Sequence, residues 1–201
     1  MAVPGYYDDD GVLTDGEAWV GIAHASLSLP AATVTWTSTN DGQVGDFSQY
    51  MDMKIICYAK GAATSINGNL CLRFNNDATA SIYEEAKIRG NGSAVTPQSG
   101  SGTQWDVAEL PGSYTSPTDG SDVFGAAVID IFDINSGKHK TAVALGAAGD
   151  HTTTNSYLSC YSTRWKSQTP ITEIDIFSRN LGNFVAGCTF SLFGILPRMV
   201  A

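Results

Sequence analysis

Basic residues are scarce in this 201-residue chain: 11 Lys and Arg stand against 20 Asp and Glu, a formal charge of −9. That deficit argues against binding a polyphosphate backbone or an anionic membrane surface, which is driven by cations displacing counterions. No nucleic acid and no membrane are therefore expected as partners. Histidine is nearly missing, with only His24, His139 and His151, and no H-x-x-x-H or Cys/His cluster forms a zinc pattern. His139, between two lysines just past a turn, and His151, in "GDHTTTN", read as exposed turn residues. No G-x-S-x-G elbow, P-loop or dinucleotide fingerprint occurs, and "GNGSAV" lacks the third glycine. The four cysteines, Cys57, Cys71, Cys160 and Cys188, have no C-x-x-C spacing and sit in apolar or alternating runs, so they read as buried free thiols. No long apolar run spans a membrane. The leader "MAVPGYYDDDGVLTDGEAW" has neither the basic nor the apolar region of a secretory signal, so synthesis in a cytoplasm is expected.

What is present is the vocabulary of strands and turns. The chain is 43% hydrophobic and 15% charged, with 21 glycines, and strong helix patterns are missing. A chain this long buries roughly 70% of its unfolded surface, enough for a core without metals or disulfides. Residues 1–43 read as an extended arm carrying two short alternating runs, Trp19 to His24 and Thr33 to Thr39. In the second run Val34 and Trp36 share an inward face and the threonines a wet one.

From Gly45 the period of two persists. "YMDMKIICYAKG" places Met51, Met53, Ile55, Cys57 and Ala59 on a core face, and "NLCLRFN" repeats the pattern with Leu70, Leu72 and Phe74. "FNNDAT" then reads as a hairpin tip, because Asn and Asp tolerate positive φ, with "SIYEEAKIRG" as the returning strand. That alternation sends Glu84 and Glu85 to opposite faces, so they cannot act as a catalytic pair. Residues 90–122 read as long loops around one strand, "TQWDVAEL". "DVFGAAVIDIFDI" is apolar on both faces apart from its aspartates, and "KHKTAVALG" returns after a turn with Val143 and Leu145 inward. "SYLSCYSTRW", "ITEIDIF" and "CTFSLFGIL" complete about ten strands. The expected fold is a single all-β, antiparallel sandwich over residues 44–201, with an extended N-terminal arm.

Chemistry is correspondingly thin. "YYDDDGVLTDGE" and "FNNDAT" gather oxygen ligands, but counting from Asp8 or from Asp77 puts Leu13 or Ile82 where a calcium loop needs glycine. Asp106, Glu109, Glu173 and Asp175 form a glycosidase pair only if the fold brings two of them together. Alternation predicts instead that acidic groups are scattered over a shell. No metal, cofactor or catalytic residue is expected. Among the aromatics, Trp36 reads as core, and Tyr6, Tyr7 and Trp19 as contacts with a capsid or a neighbouring subunit, since little nearby sequence can bury them.

Four stretches, "FSQYMDMKIICYAKG", "LCLRFNNDATASIYEEAKIRGNG", "VFGAAVIDIFDINSGKHKTAVALG" and "RWKSQTPITEIDIFSRNLGNFVAGCTFSLFGI", resemble in their order a group of tailed-bacteriophage virion proteins. The match spans about Gly45 to Ile195. The resemblance implies a jelly-roll-like sandwich on a virion. Its first expected role is a capsid decoration (cement) protein on the outer head surface, bound to the major capsid protein as a homotrimer at threefold positions. The alternative is a tail or head fibre module recognising host glycans through Trp105 and Tyr114, with a glycan depolymerase a third, weaker reading. The group brings no catalytic residues.

Overall fold

A computed structural model describes residues 19–41, 43–63, 67–112, 123–149 and 156–196. Twelve strands occur among them: β1 (Trp19–Ser26), β2 (Thr33–Thr37), β3 (Asp52–Ala59), β4 (Asn67–Phe74), β5 (Tyr83–Gly90), β6 (Val95–Gly102), β7 (Trp105–Pro111), β8 (Gly125–Phe132), β9 (Lys140–Gly149), β10 (Ser156–Trp165), β11 (Glu173–Arg179) and β12 (Thr189–Ile195). They form an antiparallel two-sheet sandwich. The wide sheet has the order β1-β12-β3-β8-β9-β10-β5-β6 and the narrow one β2-β11-β4-β7.

The pairings disclose how the chain winds. β1 pairs with β12, β2 with β11, β3 with β8 and β4 with β7, so eight strands form one nested antiparallel ribbon whose successive segments fall in opposite sheets. Rolling such a ribbon onto itself is the jelly-roll arrangement. The remaining strands are two insertions, β5–β6 between β4 and β7, and β9–β10 between β8 and β11. Both insertions extend the wide sheet beyond β8, through β9, β10, β5 and β6.

Alternation places the rolled strands as the sequence predicts. Met53, Ile55, Cys57 and Ala59 are buried, as are Val34, Trp36, Leu70, Leu72, Phe74, Ile174 and Ile176. Met51 departs from its expected face: it precedes β3 and is exposed. The runs assigned to an arm are edge strands, β1 of the wide sheet and β2 of the narrow one.

Three further expectations are corrected. First, β4 and β5 are not a hairpin: β4 lies in the narrow sheet and β5 in the wide one, so "FNNDAT" is a crossing between layers. The turn chemistry is as read, with Asn75 and Asn76 both at φ 51°. The Asn75 side chain faces a different partner, however, its Oδ1 accepting from the N–H groups of Thr172 (2.8 Å) and Glu173 (3.0 Å). Second, residues 95–102, read as loop, form β6, an exposed edge strand containing Pro97, which an edge tolerates. With β6 the described residues hold twelve strands, where the sequence reads as about ten. Third, Val143 and Leu145 point outward, and Ala142 and Ala144 inward. β7 packs closely on β9, and a Cβ on Gly146 would lie 2.7 Å from Ala108 Cβ and 3.2 Å from its Cα. Only small side chains fit beneath it.

The bulk of the core comes from the other side. Trp105 meets Phe74 edge-on at 4.8 Å between centroids, and Tyr83 stacks on Trp165 at 6.2 Å. The Tyr83 hydroxyl accepts from Phe74 N–H at 2.9 Å, tying the first inserted strand to the end of β4.

Candidate interaction surface

Strand β5 turns charge inward and apolar groups outward. On β5, Glu85, Lys87 and Arg89 follow Tyr83 on the inward face, while Ala86 and Ile88 point out. The inward charges meet the edge of the narrow sheet, where β7 carries Asp106 and Glu109, each only 2% exposed. Glu85 accepts from the Asp106 backbone N–H at 2.9 Å. Asp106 takes Asn69 Nδ2 at 2.6 Å, the Cys71 thiol at 3.2 Å and an ion pair with Arg179. Glu109 takes Lys87 Nζ and the Tyr161 hydroxyl, both at 3.3 Å, and Arg89 at 3.7 Å.

Three carboxylates thus converge where alternation alone predicts a scattered shell, a correction that follows from the wide sheet overhanging the narrow one. Two of them are held in internal ion pairs, Glu109 with Lys87 and Arg89 and Asp106 with Arg179, while Glu85 is held by the Asp106 backbone N–H. Burial, followed by the Asp106 charge, pushes the Glu85 carboxyl above the usual range. Burial likewise raises Asp106, against the opposing pull of the Cys71 hydrogen bond and of Arg179. Among the described residues no group of three or more His, Cys, Asp or Glu side chains is disposed to hold a metal ion. Glu173 and Asp175 lie elsewhere, lining a shallow depression of about 620 Å³ on the narrow sheet's outer side, where Asp175 accepts from Thr35 Oγ1 at 2.6 Å.

Outward, the strand registers align apolar side chains across six strands. One row runs Ile56, Val128, Leu145, Cys160, Ile88 and Pro97, and each is the cross-strand partner of the next. The row above it runs Tyr58, Ala126, Ala147, Leu158, Gly90 and Val95 by the same pairings. Leu145 is 54% exposed, Ile88 57% and Leu158 58%. Monomers rarely leave a contiguous apolar patch beyond a few hundred Å² in water. Charged groups border the rows in internal pairs: Lys54 with Asp130, and Glu84 with Arg164 and Lys166. Arg164 first, then Lys166, holds the Glu84 carboxyl below its usual value.

The residues singled out from sequence fall unevenly on this geometry. Tyr6, Tyr7, Tyr114 and His151 lie outside the described residues, as does the acidic leader. His139 is exposed, as expected. Trp19 is half-exposed on β1, its ring 6.4 Å from Phe193 and 4.7 Å beneath Lys54 Nζ. Trp105 is fully buried under Phe74 and Tyr83 and has no face to offer a sugar, which corrects its reading as a glycan contact. Cys57, Cys71 and Cys188 are buried free thiols, whereas Cys160 is exposed within the apolar row. Sequence reasoning missed the rows themselves. Their signal was size: in "TAVALGAAG" large and small apolar residues alternate, and the large ones face out.

Comparison of the chain with protein families, with curated proteins and with solved structures finds no match.

Proposed function

We propose that this protein is a non-enzymatic structural component of a bacteriophage virion, a decoration protein that binds the shell of major capsid protein from outside and stabilises it. The observation that carries the reading is the outer face of the wide sheet, where two apolar rows are turned out while the ion pairs of β5 are closed inside. A part built to be covered in an assembly has that character; a free-standing monomer does not. The jelly-roll winding supports it as well, because it is the fold that the resembling virion proteins implied. Attachment to the shell is assigned to the N-terminal residues with Tyr6 and Tyr7, and to Trp19 at the β1 edge. The glycan-binding alternative loses Trp105 to the core and keeps no described aromatic of its own. Immunogold labelling of intact particles with an antibody to this protein tests the proposal. Gold over the heads is the expected result, and gold on tails alone, or on no part of the particle, overturns it.

A further inference from the structure

We infer that the two apolar rows on the wide sheet form an isologous interface, on which a second copy of this chain packs face to face about a two-fold axis lying in the plane of contact. Three observations select a second copy as the occupant. The first is extent: the two rows run unbroken across six strands and hold seven of the large apolar side chains left exposed, Ile56, Tyr58, Val128, Leu145, Leu158, Ile88 and Val95, a continuous apolar surface that a lone monomer rarely leaves in water. The second is uniqueness. Among the exposed large apolar side chains of the described residues, only Trp19, Leu29 and Met51 lie off the six strands that carry the rows. A ring built head to tail needs two different complementary patches, whereas a two-fold contact needs one that complements itself. The pairing therefore takes the place of the threefold arrangement that the resemblance implied.

The third is charge. Copies carrying −9 each repel one another over most of their surface. On this face Lys54, Arg164 and Lys166 stand beside Asp130 and Glu84 in closed pairs, so two copies meet here without a like-charge penalty. The acidic leader is a poorer occupant, since Asp8, Asp9, Asp10, Asp15 and Glu17 would bring five carboxylates to an apolar surface whose bordering cations, Lys54, Arg164 and Lys166, are already paired.

Sedimentation equilibrium on the full chain is expected to give twice the 21.2 kDa chain mass. Leu145→Glu and Ile88→Lys, each separately, should halve that mass while leaving the far-ultraviolet circular dichroism unchanged. Thr35→Glu, on the outer face of the narrow sheet, should leave the dimer intact. Cys160 supplies a readout in the unmutated protein: it sits within the rows, and the three other thiols are buried. Its reaction with a maleimide should be slow at high protein concentration and speed up as dilution separates the copies. A monomeric or trimeric mass, a dimer that survives both charge substitutions, or a maleimide rate independent of protein concentration overturns the inference. It rests on the proposed virion role only for its setting. A two-fold dimer of a protein missing from particles refutes the decoration role and leaves the pairing standing, and a head-bound monomer does the reverse.

Discussion

The rolled strands and the inserted strands share a period of two but fill the inward side of it differently. In the rolled ribbon the apolar side of each strand faces the core, as with Trp36, Leu72 and Ile176. In the insertions β5 buries Lys87 beside Glu109 and shows Ile88 to solvent, and β9 buries Ala144 and shows Leu145. Alternation tells only that two faces differ. Which one is inside depends on what lies across from it. Opposite β9 lies β7, so close that alanine and glycine are all that fits. Opposite β5 lies the edge of β7, whose backbone N–H and carboxylates need polar partners.

The strongest way to break this contrast is to remove bulk from the rolled side. Trp105→Ala should cost about 3–5 kcal/mol in urea denaturation, the range for deleting a large buried aromatic. A midpoint like that of the unmutated protein would mean the ring is not core. The second test acts within β9. Ala144→Leu should cost roughly 1–3 kcal/mol through overpacking against β7, while Val143→Thr, on the other face, should change the midpoint by less than about 0.5 kcal/mol. Equal losses would erase the distinction between the faces. A third test addresses the point where the chain leaves the ribbon for the first insertion. Asn75→Ala removes an acceptor shared by two backbone N–H groups, and a residue suited to φ 51°, for a loss of about 1–2 kcal/mol. Asn75→Gly keeps the conformation and should recover part of that loss.

The rolled half was largely legible in the sequence because its apolar faces are also its buried ones: β3, β4 and β11 could be assigned from Met53, Leu70 and Ile174 by spacing alone. The insertions were not. Residues 95–102, "VTPQSGSG", lack the apolar side of a strand, since β6 is an exposed edge with no core to face. The crossing at Asn75 and Asn76 carries turn chemistry that serves a hairpin equally well, and only the Asn75 contacts with Thr172 and Glu173 separate the two. The converging carboxylates depend on the narrow sheet ending above β5, a property of sheet widths that no local pattern encodes. Trp105 was expected at a surface because its strand lies between glycine-rich stretches, whereas β7 is buried along its whole length.

The smallest expected effect is also the sharpest on the two faces, because it compares neighbours. Glu84 points out to Arg164 and Lys166, which hold its carboxyl low. Glu85 points in, and burial raises it. Their contributions to stability therefore run in opposite directions with pH. Glu84 contributes above its unfolded value, and that contribution is lost as pH falls through its lowered folded value. Glu85 contributes most below its unfolded value, where both states are protonated, and the contribution is lost as pH rises through its raised folded value, since the folded state resists the charge. Glu84→Gln and Glu85→Gln keep size and a carbonyl acceptor while removing titration. Urea midpoints measured from acid to neutral pH should show the penalty for Glu84→Gln growing with pH and that for Glu85→Gln shrinking. Parallel curves for the two variants would mean that both carboxyls see the same surroundings, and the inverted polarity of the insertion would fail at the residue pair where it is most local.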